Sequence, residues 1–145
     1  MDAPNPEYRQ FIAAAFAAAP FVSGNAIRLA DCGPGWCAST VELEPRHLQQ
    51  TGVAHGGLLA TIADHTAGGA AATLLEAGAH VLTAELKVSM LRAARGTHLE
   101  CRASVIKPGR SLSFVEAEVY AIDDGRRELV AKASATMAVI AARQQ

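Results

Sequence analysis

The 145-residue chain carries a formal net charge of -1 and no basic stripe, which leaves no electrostatic footprint for nucleic acid. Half of its residues are apolar but only 5% are aromatic, so a core of one-domain size has to be built from Ala, Val, Leu and Ile. Cys32, Cys37 and Cys101 fit neither a disulfide framework nor a zinc-ligand spacing; they read as reduced thiols of a cytoplasmic protein.

No segment reaches the roughly 18 continuous apolar residues of a membrane span. Phe11 to Val22 resembles a signal-peptide core in composition, but Asp2 and Glu7 stand where a basic cluster belongs, and export is not expected. Pro6 to Phe21 predicts an alanine-rich amphipathic helix, with Pro6 in its first turn and Tyr8, Phe11, Ile12, Ala15 and Phe16 on one face. That face reads as a lid on the domain, or as the border of a substrate channel. Two strands follow, Ala26 to Asp31 and Trp36 to Glu44, turned at Gly33-Pro34-Gly35.

The chain is organised around Thr51 to Gly78. A loop ending His55-Gly56-Gly57 leads into a helix expected over 55–78 that is apolar nearly all round, as buried helices are. Asp64 lies two turns inside it, where a carboxylate is costly unless something pairs with it or uses it. Gly68-Gly69 leaves room for an acyl tail or for close helix-sheet packing.

Beyond Gly78 the period changes to two. In Val81 to Leu91 the even positions Leu82, Ala84, Leu86, Val88 and Met90 predict the apolar face, with Thr83, Glu85, Lys87 and Ser89 on the wet one. Leu99 to Val105, Leu112 to Ile122 and Glu128 to Ile140 continue the pattern, separated by Arg95-Gly96, Lys107-Pro108-Gly109-Arg110 and Asp123-Asp124-Gly125. Short turns between four consecutive strands predict an antiparallel meander. The expected architecture is one α+β domain over 1–145: an N-terminal helix within 1–23, and an antiparallel curved sheet of six strands wrapped around one long central helix.

These residues resemble the hotdog-fold acyl-CoA thioesterases. The match consists of His55-Gly56-Gly57, an acid nine residues beyond the histidine, Leu91-Arg92-Ala93-Ala94-Arg95-Gly96, and Lys107 to Ser111 followed by Phe114 to Val119. The phenylacetate-pathway type, a group that includes aryl-CoA and proofreading enzymes, is the nearest, although Ala93 stands where that group usually has proline. The resemblance implies Asp64 as the catalytic carboxylate, Gly57 as backbone donor to the thioester carbonyl, and Gln49 (or Gln50, one residue on) lining the site. It implies Thr83 as an assisting hydroxyl and His55 in the loop. Gly56 and Arg92, with Lys107, Gly109, Arg110 and Ser111, would meet substrate and coenzyme A. It further implies a homodimer or homotetramer with active sites at the subunit interface, and no cofactor beyond the coenzyme A of the substrate.

The chemistry is consistent with those residue types. A helix N-terminus offers unpaired N-H donors to an oxygen becoming anionic, glycine lets an acyl group approach the backbone, and an aspartate can attack or deprotonate water. No G-x-S-x-G elbow and no metal-ligand cluster is present in the sequence. A hydratase acting on enoyl or hydroxyacyl thioesters and a non-catalytic acyl-CoA-binding protein remain as alternatives.

Overall fold

The helix α3, Gly56–Ala72, is sequestered because its composition leaves it no wet face: Ile62, Ala63, Thr66, Ala67 and Ala70 each retain 0% exposure. The computed structural model describes residues 1–142; the last three positions of the expected 1–145 domain, 143–145, lie outside the described residues. Around α3 the chain runs α1 (Tyr8–Ala18), α2 (Pro20–Gly24), β1 (Arg28–Gly33), β2 (Trp36–Glu42), β3 (His80–Met90), β4 (His98–Lys107), β5 (Leu112–Asp123) and β6 (Arg126–Ile140). The six strands form one antiparallel sheet in the order β1-β2-β4-β5-β6-β3, and α3 touches every strand of it. This is the hotdog fold.

The four-strand meander expected from the turns is corrected to three strands. β4, β5 and β6 are consecutive neighbours, but β3 pairs with β6 and β4 pairs with β2. Residues 91–97 are a crossing and not a hairpin turn. Leu91 and Arg92 donate to the Val130 carbonyl, Thr97 N-H donates to the Ile122 carbonyl while the Thr97 carbonyl accepts from Leu43 N-H, and the Ala94 carbonyl accepts from Ala54 N-H. Those bonds carry the backbone past the ends of β6 and β5 to the far side of the sheet, so β3 remains an edge strand.

Two helix boundaries differ from expectation. The N-terminal helix breaks at Ala19, which is extended (ψ 106) because a residue before proline is driven out of the helical region. Its buried anchors are Ile12 and Phe16, while Phe11 and Ala15 stay exposed. The central helix ends at Ala72 and not at Gly78. Thr73 Oγ1 donates to the Ala70 carbonyl and accepts from Gly35 N-H at 2.8 Å, fastening the helix end to the β1–β2 turn. Leu75 then tucks into the core, and Gly78 (φ +83) turns the chain into β3.

β3 itself departs from simple alternation. Thr83 pairs with Met137 and Glu85 with Thr136, so Ala84 is an extra residue, a β-bulge that exchanges the faces of the strand. Leu86 and Val88 face inward as the even-numbered pattern predicts, but Leu82 is 59% exposed and Val81 and Thr83 take the inner side.

Candidate active site

That exchange of faces brings Thr83 to α3. Its hydroxyl donates to Asp64 Oδ1 at 2.7 Å, a charge-assisted bond that fixes the carboxylate, and Met137 Sδ lies 3.6 Å from Thr83 Oγ1. Without the bulge an odd-numbered side chain on β3 would point to solvent, as the alternating pattern requires. Asp64 and Thr83 open onto a cavity of about 190 Å³ between α1, α3 and β3. Phe11, Phe16, Gly68, Val81 and Met137 are among its walls, so the inner face of α1 borders this cavity.

The two glycines of α3 have different tasks. A Cβ on Gly69 would stand 2.9 Å from Cys37 Sγ and 3.4 Å from Phe16, so that position is needed for close packing. A Cβ on Gly68 would meet only Val81 Cγ2 at 3.8 Å, so its missing side chain is cavity space.

The helix N-terminus is the second polar feature. His55 is the N-cap: its Nδ1 accepts from Gly57 N-H at 2.8 Å, and its backbone carbonyl accepts from Leu58. The donor that the resemblance assigns to a thioester carbonyl is therefore held by the imidazole in this conformation. The approach to the cap is rigid. His47 Nδ1 accepts from Glu44 N-H, which leaves Nε2 protonated to donate to the Asn25 carbonyl at 2.9 Å, and the His47 carbonyl accepts from His55 N-H.

The remaining candidates lie elsewhere on the chain. Gln49 Oε1 accepts from Thr51 N-H at 2.7 Å and so closes its own loop. Gln49, Gly56 and Arg92 share a groove with Met90 and Leu91, separate from the face where His55 and Gly57 open. Lys107, Gly109, Arg110 and Ser111 form the exposed β4–β5 turn; Gly109 and Arg110 sit beside Leu74 and Ala79, at the opposite end of α3. The structure thus joins Asp64 with Thr83, His55 with Gly57, and Gln49 with Gly56 and Arg92, as three groups along one helix.

Sequence reasoning gave Met137 and His65 no part in the site. Met137 is revealed only by its register opposite Thr83, and His65 only by the cavity it lines. The cysteines do not compete for a chemical role. All three are free and buried, and burial pushes the Cys101 thiol up to about 12 and Cys37 higher still, so neither is a thiolate at neutral pH.

Comparison with known proteins identifies the scaffold. The model of the thioesterase superfamily matches residues 51–128. A Pseudomonas aeruginosa protein described as a candidate esterase is 33% identical over 111 residues, covering 70% of this chain and 80% of its own. Human acyl-coenzyme A thioesterase 13 is 28% identical over 94 residues, 64% of this chain and 66% of that protein. A thioesterase family protein from Silicibacter pomeroyi superposes with a TM-score of 0.89 at 34% identity, covering 92% of this chain and 98% of its own. The stretch from the α3 cap to the start of β6 thus carries a recognised enzyme scaffold, and the chain belongs to the thioesterase superfamily as a thioester hydrolase.

Proposed function

We propose that the protein is an acyl-CoA thioesterase of the phenylacetate-pathway type, releasing a carboxylic acid and free coenzyme A. The observation that carries this reading is the Asp64 carboxylate, oriented by Thr83 at the mouth of an apolar cavity sized for a small acyl group. The acyl-CoA activity in the name of the human relative supports it. In this mechanism Asp64 either attacks the thioester carbonyl, forming an anhydride that water then hydrolyses to the free acid, or deprotonates a water that attacks the carbonyl. In both routes the C–S bond breaks, and the departing coenzyme A thiolate ends with a proton given up by water. The carbonyl oxygen is received by Gly57 N-H once His55 has swung aside.

These groups imply a second subunit. Gly57 and Asp64 are seven residues apart, nearly two turns, so they lie on one face of α3 about 10 Å apart along its axis. A carbonyl bond is about 1.2 Å long, and one chain cannot present both groups to it. A two-fold axis between them sets Gly57 opposite Asp64 of the partner subunit, and β3 offers an open edge for that pairing. In such a dimer Gln49, Gly56 and Arg92 border the thioester, and Lys107, Gly109, Arg110 and Ser111 are placed to meet the nucleotide.

The test is coenzyme A release from a panel of acyl- and aryl-CoAs by the wild type and Asp64→Asn, with sedimentation equilibrium on both. A hundredfold or greater loss in a folded, dimeric Asp64→Asn supports the reading; unchanged turnover, or a fully active monomer, refutes it.

A further inference from the structure

Ser39 and Thr66 put two hydroxyls into a part of the core that is otherwise hydrocarbon and thiol. Both residues are sealed, at 1% and 0% exposure, and their oxygens lie 2.6 Å apart. Thr66 Oγ1 donates to the Ile62 carbonyl one turn back, so it is the Ser39 hydroxyl that donates to Thr66. Ser39 is flanked on β2 by the buried Cys37 and Val41, and opposed on β4 by the buried Cys101. Alanine and valine at the two positions would keep the shape and avoid burying hydroxyls, so stability alone does not account for the pair.

What the pair controls is the rotation of α3. Ala63, Ala67, Gly68, Ala70 and Ala71 give the helix few ridges to lock its angle against the sheet. Among the described residues, two side-chain hydrogen bonds join the body of α3 to strands: Thr66 to Ser39 of β2, and Asp64 to Thr83 of β3. Asp64 and Thr66 are two residues apart in sequence, which sets them about 200° apart around the axis. β2 and β3 belong to opposite halves of the sheet, so the helix is held from two sides. A turn of about 20° would move each Cα by about 0.8 Å, and the Asp64 carboxylate by more. That is the scale of misplacement that spoils a reacting geometry. The Thr83 bond alone tolerates such a turn, because the Asp64 torsions can adjust to keep it while the carboxylate moves.

We propose that Ser39 and Thr66 are positioning residues of the hydrolysis: their hydrogen bond fixes the rotation of α3 and thereby the aim of the Asp64 carboxylate. This rests on the reading of Asp64 as the reacting group, and it asks no contact with substrate of either hydroxyl.

The experiment compares Ser39→Ala/Thr66→Val with the wild type. Both hydroxyls give way to apolar groups of similar shape, so the urea midpoint should stay close to that of the wild type. The kcat for coenzyme A release should nevertheless fall about tenfold, with KM within about twofold. Thr66→Ser keeps the bond to Ser39 and should retain most of the rate. A wild-type kcat in the double variant overturns the proposal, and so does an equal loss in Thr66→Ser. Ser39→Ala alone is the milder second variant, because Thr66 keeps the Ile62 carbonyl, and an unchanged kcat there overturns the proposal if the double variant does not fold. A further measurement needs no turnover: the non-additivity of the Asp64→Asn and Thr83→Val shifts in urea midpoint, taken with Ser39 and with Ser39→Ala. It should shrink at least twofold when the Ser39 hydroxyl is removed, and an unchanged value counts against the proposal. An active Asp64→Asn instead removes the catalytic reading, and the urea coupling still reports whether Ser39 and Thr66 aim the side chain at position 64.

Discussion

Replacing Thr83 by valine keeps a β-branched side chain of the same shape on β3 and deletes the hydroxyl that holds Asp64. The lost interaction is a 2.7 Å bond to a charged oxygen, a class that contributes about 1.5–3 kcal/mol. Thr83 is exposed on one side, so the lower end applies, and about 1.5 kcal/mol corresponds to a fall of about tenfold in kcat. KM should hardly move, since the hydroxyl positions the acid and not the substrate. Thr83→Ser, which keeps the donor, should recover most of the rate. The decisive assay is a double-mutant cycle with Asp64→Asn, following coenzyme A release. In the asparagine background Thr83→Val should cost less than twofold, because the group it positions no longer reacts. Equal losses in both backgrounds, or a wild-type rate for Thr83→Val alone, would refute the coupling.

The glycine pair gives opposite signs from adjacent positions. Gly68→Ala should stabilise by about 0.5–1 kcal/mol through helix propensity, whereas Gly69→Ala should destabilise by about 1–3 kcal/mol because Cys37 has to give way; urea melts showing the same sign for both would contradict the packing. His55→Ala should lower Tm by about 3 °C through loss of the cap, about 1 kcal/mol in a chain of this size. His55→Asn, itself a good cap, should restore most of it by calorimetry. Burial holds His65 below its ordinary pKa in the fold, so the unfolded chain binds more protons as pH falls through about 6.5. Its stabilising contribution is complete above that pH and is lost on acidification; His65→Leu should flatten the slope of denaturant midpoint against pH between about 5 and 7.

Periodicity made most of this fold legible. β2, β4 and β5 alternate buried and less buried positions along nearly their whole length, and the helix betrays its burial by having no polar stripe. What failed to show was anything decided by a single residue or by a partner distant in sequence. Leu91 to Thr97 is short enough to be a hairpin turn, and only its bonds to Val130 and Ile122 make it a crossing. Alternation cannot register the extra Ala84, so Thr83 read as a wet-face residue although its pairing with Asp64 is the best-formed contact of the candidate site. The helix stop was hidden because Thr73 does with a side chain, through Gly35 on another hairpin, what glycine usually does with the backbone. Asp64 was legible because an acid in an apolar helix violates the local pattern. His65 violates it too, yet no motif named it.

The bulge also bears on how such a chain changes over generations. Ala84 has no partner on β6, so a deletion of its single codon would leave Thr83 and Glu85 adjacent, still opposite Met137 and Thr136, with Thr83 still toward Asp64. Straightening the strand with Ala84 retained would instead exchange the faces of its whole N-terminal end, turning Thr83 outward and Val81 away from the cavity wall. Ala84 is thereby the residue of β3 whose loss the sheet absorbs without moving Thr83.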